Sequence, residues 1–331
     1  MYQIKKMKGV IMTGVKNKKS DHKKKKDDLG EMTLPPDLPP PYFMEKLNGI
    51  IQAALEKHGI EDPDEAVKFV NKHFTGKPIE ELLKEYPPEP KDLAQDLVIR
   101  ASQAKNEKEM LDLLNQALET DPENIDALSL IALITSENDE DLARRLEGIL
   151  KCAESFLGKD YFQENRGHFW GLTETRPFMR GKMHLIETLQ GLDRLKDAIR
   201  HCEEMLLLNP NDNQGVRYIL LGLYLETDLL DSARKLLKEY KEDCSAVFAW
   251  GHVLERFLSR DEPGALKALK NANKENPFVL DYLTGKKKPP RNAPEYFSPG
   301  SKEEAYEVLV ELTMAWSKHP DALSWLKSVS P

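Results

Sequence analysis

Three triplets of residues constrain the fold of this chain more than any other feature. Met110, Ala117 and Pro122 are separated by steps of seven and twelve from the first residue. The same steps recur at Ala198, Met205 and Pro210, and again at Ala265, Ala272 and Pro277. A seven-residue step keeps two small or apolar side chains on one helix face. A proline five residues later ends the helix, because it has no N–H to donate and crowds the preceding turn. The flanking residues also match: Asp121-Pro122-Glu123-Asn124, Asn209-Pro210-Asn211-Asp212, and Asn276-Pro277. Pro210 and Pro277 are 67 residues apart, two units of about 34; Pro122 and Pro210 are 88 apart, two such units plus an insertion of about twenty. Residues 216–240 form an intervening unit with Leu221, Gly222 and Tyr224 on its first helix and Ala233 on its second, but no terminal proline. A helix pair of this length cannot bury its apolar face alone, so the units must stack.

The pattern resembles the tetratricopeptide repeat, a 34-residue helix-turn-helix unit. In that reading Gly222 lets a partner helix approach, Ala198, Ala233 and Ala265 sit where the second helix presses on the first, and the prolines set the turn into the next unit. The string from Gly167 through His168, Phe169, Trp170, Glu174 and Arg176 to Arg180, with residues 209–218, is similar to a group of uncharacterised bacterial tetratricopeptide proteins over roughly residues 88–328. Residues 265–290, with Asn276-Pro277-Phe278-Val279 and Tyr282-Leu283, show a more local resemblance to the suppression-of-tumorigenicity 7 family. The resemblance implies an all-α, tetratricopeptide-like α-solenoid of stacked antiparallel helix pairs. Neither family brings a catalytic site or ligand to carry over. The carboxylate clamp of peptide-holding tetratricopeptide domains is missing: its places are taken by Asp126, Ser129, Leu130 and Leu133, then by Val216, Ile219, Leu220 and Leu223.

Outside the repeat the chain divides by composition. Residues 1–28 carry ten Lys against three Asp, so an overall charge of -8 hides a basic leader of about +7 on a body of about -15. With the run Pro35-Pro36-Asp37-Leu38-Pro39-Pro40-Pro41, residues 1–40 read as a disordered leader, since such a segment buries too little apolar area to offset its ordering entropy. Met12 offers a start within it. Residues 9–15 are too short and polar for the apolar region of an export signal. Residues 41–88 read as a small helical N-terminal subdomain, with Asp62 and Pro63 opening one helix, Pro78 another, and Pro87-Pro88-Glu89-Pro90 as a hinge. The solenoid is expected over 89–284, with an insertion at about 156–178 that includes a longer-than-consensus first helix capped by Arg176-Pro177. A basic, proline-containing linker follows over 285–300. Helices at 302–317 and 320–329, the first opened by a capping box of Ser301 and Glu304, are expected to cap the end of the stack.

Little in the sequence speaks for chemistry. Three Cys without a CxxC pair make neither a disulfide framework nor a four-thiolate zinc site, which points to a reducing, cytoplasmic setting. The eight His show no metal-binding spacing, and no phosphate-binding loop or nucleophile elbow is present, so no cofactor or metal is expected. His201 and Cys202 are adjacent on a helix, about 100° apart, and cannot act as a pair. No stretch is long and apolar enough to span a membrane. The expected function is a non-catalytic scaffold that binds a protein or peptide in its groove, and the acidic body favours a basic or mixed-charge partner. The expected contacts are an aromatic ridge with His168, Phe169, Trp170, Glu174 and Arg176, and the helix start at Asn213, Gln214 and Arg217. Two other classes remain open. One is a nucleic-acid- or ribosome-associated regulator using the lysine leader, which lacks interleaved aromatics for base stacking. The other is an enzyme whose pocket gathers His168, Glu174 and Arg176.

Overall fold

A computed structural model describes residues 40–290, 292–294 and 296–329, with side chains from Glu45 onward. The expected disordered leader therefore lies almost wholly outside the described residues. Among these residues there is no strand, and the seventeen α-helices pack within each unit in adjacent pairs, an all-α, solenoid-like fold. The chain divides into two compact units, Met1–Thr188 and Leu189–Pro331.

The first unit holds α1 (Pro40–His58), α2 (Pro63–His73), α3 (Ile79–Glu85), α4 (Pro90–Ser102), α5 (Glu107–Thr120), α6 (Ile125–Thr135), α7 (Asp139–Leu157), α8 (Lys159–Glu164) and most of α9 (Arg176–Gly191). Leu47, Ile50 and Ala54 of α1 pack with Phe74, Ile79, Leu82 and Tyr86 into a core of their own. Ala94, Val98, Met110, Leu114, Ala117 and Leu130 build the next core between α4, α5 and α6. Four helices begin on a side chain that satisfies an orphan amide: Asp62 accepts from Asp64 and Glu65, Asn106 from Glu109, Asn124 from Ala127, and Asn138 from Asp141. The Pro87–Pro90 run is not a hinge between bodies. Glu89 and Asp92 form a capping box that starts α4, and Lys46 of α1 pairs with Asp96 at 2.5 Å, so both sides are tied within one unit.

The second unit holds α10 (Leu195–Leu208), α11 (Val216–Glu226), α12 (Leu230–Glu239), α13 (Ala246–Leu258), α14 (Glu262–Glu275), α15 (Phe278–Leu283), α16 (Lys302–Lys318) and α17 (Pro320–Val329). The triplets that organise the sequence mark helices of equal length. Helices α5, α10 and α14 each have fourteen residues, and each ends when the N–H of Asp121, Asn209 or Asn276 bonds to the carbonyl of Ala117, Met205 or Ala272. Ala198, Ala233 and Ala265 are fully buried. The turns into α10, α12 and α14 also repeat one another. Asp193, Asp228 and Arg260 adopt left-handed backbone two residues before the helix, and the next N–H reaches five residues back, to Leu189, Tyr224 and Arg256. This is the Schellman stop, which usually recruits glycine.

Helix α16 does not cap an end. It packs across α11 and α13, the first helices of successive pairs, burying Ala305, Val308, Leu312, Ala315 and Trp316. The approach is closest at Gly222, where a Cβ would come within 2.3 Å of the Glu311 carbonyl oxygen. The small residue thus makes room for α16 and not for the second helix of its own pair. Only half of the expected capping box forms: Ser301 Oγ accepts from the Glu304 amide, but the buried Glu304 carboxylate turns to the N–H groups of Gly300 and Ala246 and to Asn276 Nδ2. The first-helix face of this unit, the groove in which a peptide partner was expected, is filled by the chain's own helix.

Candidate functional site

The insertion of the first unit begins with α8 and continues through turns and a 3-10 turn at Thr173–Thr175. It is not a lengthened first helix. Arg176 and Pro177 open α9, as suits a proline whose missing N–H falls in a first turn. Phe169 and Phe178 are fully buried, so Phe169 belongs to no exposed ridge. Its ring lies 4.8 Å from Phe162 and 6.3 Å from Phe178, and its carbonyl accepts from the buried Thr175 hydroxyl. Arg176 donates from Nε to the Trp170 carbonyl at 2.9 Å and lays its guanidinium 5.5 Å from the Trp170 ring. These ties hold residues 165–175 in one shape. His168 and Glu174 stay exposed and Trp170 is half-buried.

His168, Glu174 and Arg176 do not converge. Among the described residues no hydrogen bond or ion pair joins them: Glu174 accepts from the Tyr161 hydroxyl at 3.0 Å, and Arg176 pairs with Glu45 at 3.4 Å. Burial, then the Glu174 charge, pushes the Tyr161 phenol up.

Behind the loop lies a buried ionic cluster that local motifs did not reveal. Arg180, one turn beyond Arg176, donates from Nε to Asp126 at 3.0 Å and pairs with Glu45 of α1 at 3.1 Å. Gln95 adds a bond to Asp126 at 2.9 Å. Burial alone would push the Asp126 carboxyl up, but Arg180 and Gln95 outweigh it and hold the group below its ordinary range. Burial, with Arg180 nearby, lowers His184 to about 4, although Asp126 pulls the other way. The folded ring thus binds its proton more weakly than the unfolded ring at about 6.5, and the unfolded chain takes up the extra proton between those values. Stability from this ring is complete above pH 6.5 and lost as pH falls toward 4, by about 3 kcal/mol. Urea titrations at pH 7 and pH 4.5 should show a smaller difference in His184→Gln than in the parent; equal differences would remove His184 as the cause.

In the second unit Arg217 is fully engaged. Its guanidinium donates to Asp243 at 2.7 Å, Asp212 at 2.9 Å and the Tyr218 hydroxyl at 2.6 Å, and lies 4.3 Å from the Tyr218 ring and 5.4 Å from the Tyr240 ring. Asp212 also accepts from the amides of Val216 and Arg217, supplying the cap that Gly215 cannot. Arg217 therefore locks the start of α11 and is not open to a partner. Asn213 is exposed and Gln214 half-buried. Burial pushes the phenols of Tyr218 and Tyr240 up to about 12.

Among the described residues no group of three or more His, Cys, Asp or Glu is placed to hold a metal, and no helix is long and apolar enough to cross a membrane. Neither a protein-family model nor a curated protein sequence matches the chain.

Proposed function

We propose that this chain is a scaffold of the tetratricopeptide type that holds a protein or peptide partner on the insertion of its first unit. One observation carries the reading: residues 165–175 are pinned from within by Phe169, Thr175 and Arg176, while His168, Trp170 and Glu174 face outward or half outward. A loop whose shape is already fixed loses little entropy on binding, and a half-exposed Trp is a common anchor. The equal length and shared ending of α5, α10 and α14 support the repeat assignment. The groove is a poorer candidate, because α16 occupies the first-helix face of the second unit. Cys152, Cys202 and Cys244 form no disulfide among the described residues, which suits a cytoplasmic setting.

Quantitative capture by the full chain tests the reading. Trp170→Ala should lower recovery of the specific partner about tenfold or more, the loss of one anchor residue. The melting temperature should stay within about 3 °C, because the substitution touches little of the core. Equal recovery with parent and variant would remove the loop as the contact.

A further inference from the structure

Helix α1 reaches the partner loop through one buried carboxylate. The helix lies against α4 and against the 3-10 turn at Thr173–Thr175, which closes the loop. Glu45, in its first half, is only 8 % exposed and stands 131 residues from Arg176. Its Oε1 accepts from Arg176 Nη1 at 3.4 Å and from Arg180 Nη1 at 3.1 Å, because side chains one turn apart on α9 can reach the same point.

The two arginines do not depend on Glu45 equally. Arg180 keeps Asp126 as a second carboxylate, 3.0 Å from its Nε. Among the described residues Glu45 is the only carboxylate that Arg176 pairs with, and its other hydrogen bond runs from Nε to the Trp170 carbonyl at 2.9 Å. A guanidinium is a planar fork whose donors cannot turn separately. The carboxylate that fixes Nη1 therefore also aims Nε at the Trp170 carbonyl, and it sets the plane that lies 5.5 Å from the Trp170 ring. The backbone bonds inside the loop are all short-range. Gly171 and Leu172 donate to the His168 carbonyl at 2.8 and 3.3 Å, and Thr175 donates to Leu172 at 3.4 Å. Such turns need a hold from outside to keep one shape.

We propose that Glu45 is a positioning residue for the partner loop: through Arg176 it fixes the carbonyl and ring of Trp170, so a buried residue of α1 sets the shape that a partner meets. The inference takes the role of the loop from the scaffold reading, but the hold itself is measured with no partner present. If the loop proves not to be the contact, the hold still stands. If the hold fails, Trp170 is still free to be the contact.

Hydrogen exchange of the full chain, read by mass spectrometry on peptides covering residues 165–175 and, as a reference, α5, tests the hold. Loop amides exchange by local opening, so a lost restraint shows as faster exchange there. Glu45→Gln keeps the shape and removes the charge. It should speed exchange in the loop about tenfold, the effect of one charge-assisted hydrogen bond, and leave α5 unchanged. Lys46→Met controls for a loosened α1, because it breaks the neighbouring tie to Asp96 and leaves Glu45 in place. Its loop should exchange as in the parent. Arg176→Lys keeps the charge without the fork; it should speed the loop as Glu45→Gln does, and the two together should do no more than either alone. Unchanged loop exchange in Glu45→Gln overturns the proposal. Equal speeding by Lys46→Met does the same, since Glu45 would then be one staple of α1 among others. Equal speeding of α5 and the loop would make Glu45 a general support of the unit, which is also a refutation. A further full effect of Glu45→Gln in the Arg176→Lys background would show that the path bypasses Arg176, and the assignment would fall.

Discussion

Phe169→Ala is expected to destabilise the first unit by about 3 to 5 kcal/mol. Phe169 is fully enclosed, with the rings of Tyr161, Phe162 and Phe178 around it, and its removal opens a cavity that the pinned loop cannot collapse to fill. For a unit of this size the transition should fall by about 6 to 20 °C in calorimetry. The neighbouring Trp170→Ala should leave that transition nearly in place. The contrast between adjacent aromatic residues is the diagnostic: equal shifts would mean that the loop is not organised around Phe169.

Asp126→Ala should cost the same unit about 3 to 5 kcal/mol, for a different reason. Breaking a buried pair leaves the other charge without its partner. Arg180 would keep Glu45 but lose Asp126, and Gln95 would lose its acceptor. Asp126→Asn, of the same shape, should lose less than Asp126→Ala because it keeps an acceptor for Gln95. A double-mutant cycle with Arg180→Met separates the pair from its surroundings. If the cycle shows no coupling, the cluster contributes nothing specific to stability. The same substitution removes the charge that favours the His184 cation, so His184 should become still harder to protonate.

The repeated helices were legible because everything that makes them is local. The seven-residue step, the small residues at 198, 233 and 265, and the proline that follows each of three helices lie within one helix length of one another. Other features depend on distant partners. Gly222 signals a close approach without saying that the approaching backbone is Glu311. Glu45 is 135 residues from Arg180, so no local motif joins them. The stops at Asp193, Asp228 and Arg260 went unread because the usual cue is glycine, and two aspartates and an arginine replace it at a modest conformational cost. The insertion misled for a related reason. Dense aromatics suit a contact surface or a core equally well, and only Thr175 and Arg176, folding back on Phe169 and Trp170, decide that Phe169 faces inward while Trp170 stays half open.

The placement of α16 changes how the second unit should fold. In an ideal stack each repeat touches only its neighbours, stability is nearly additive, and structure can nucleate anywhere along the chain. Here Ala246 bonds to Glu304 across 58 residues, and Leu225 meets His319 across 94. Contacts at such separations raise contact order and delay completion. The second unit should therefore melt as one cooperative block. During synthesis α11 and α13 must wait with an apolar face uncovered until residues 302–318 have been made, a window in which a chaperone would find its target.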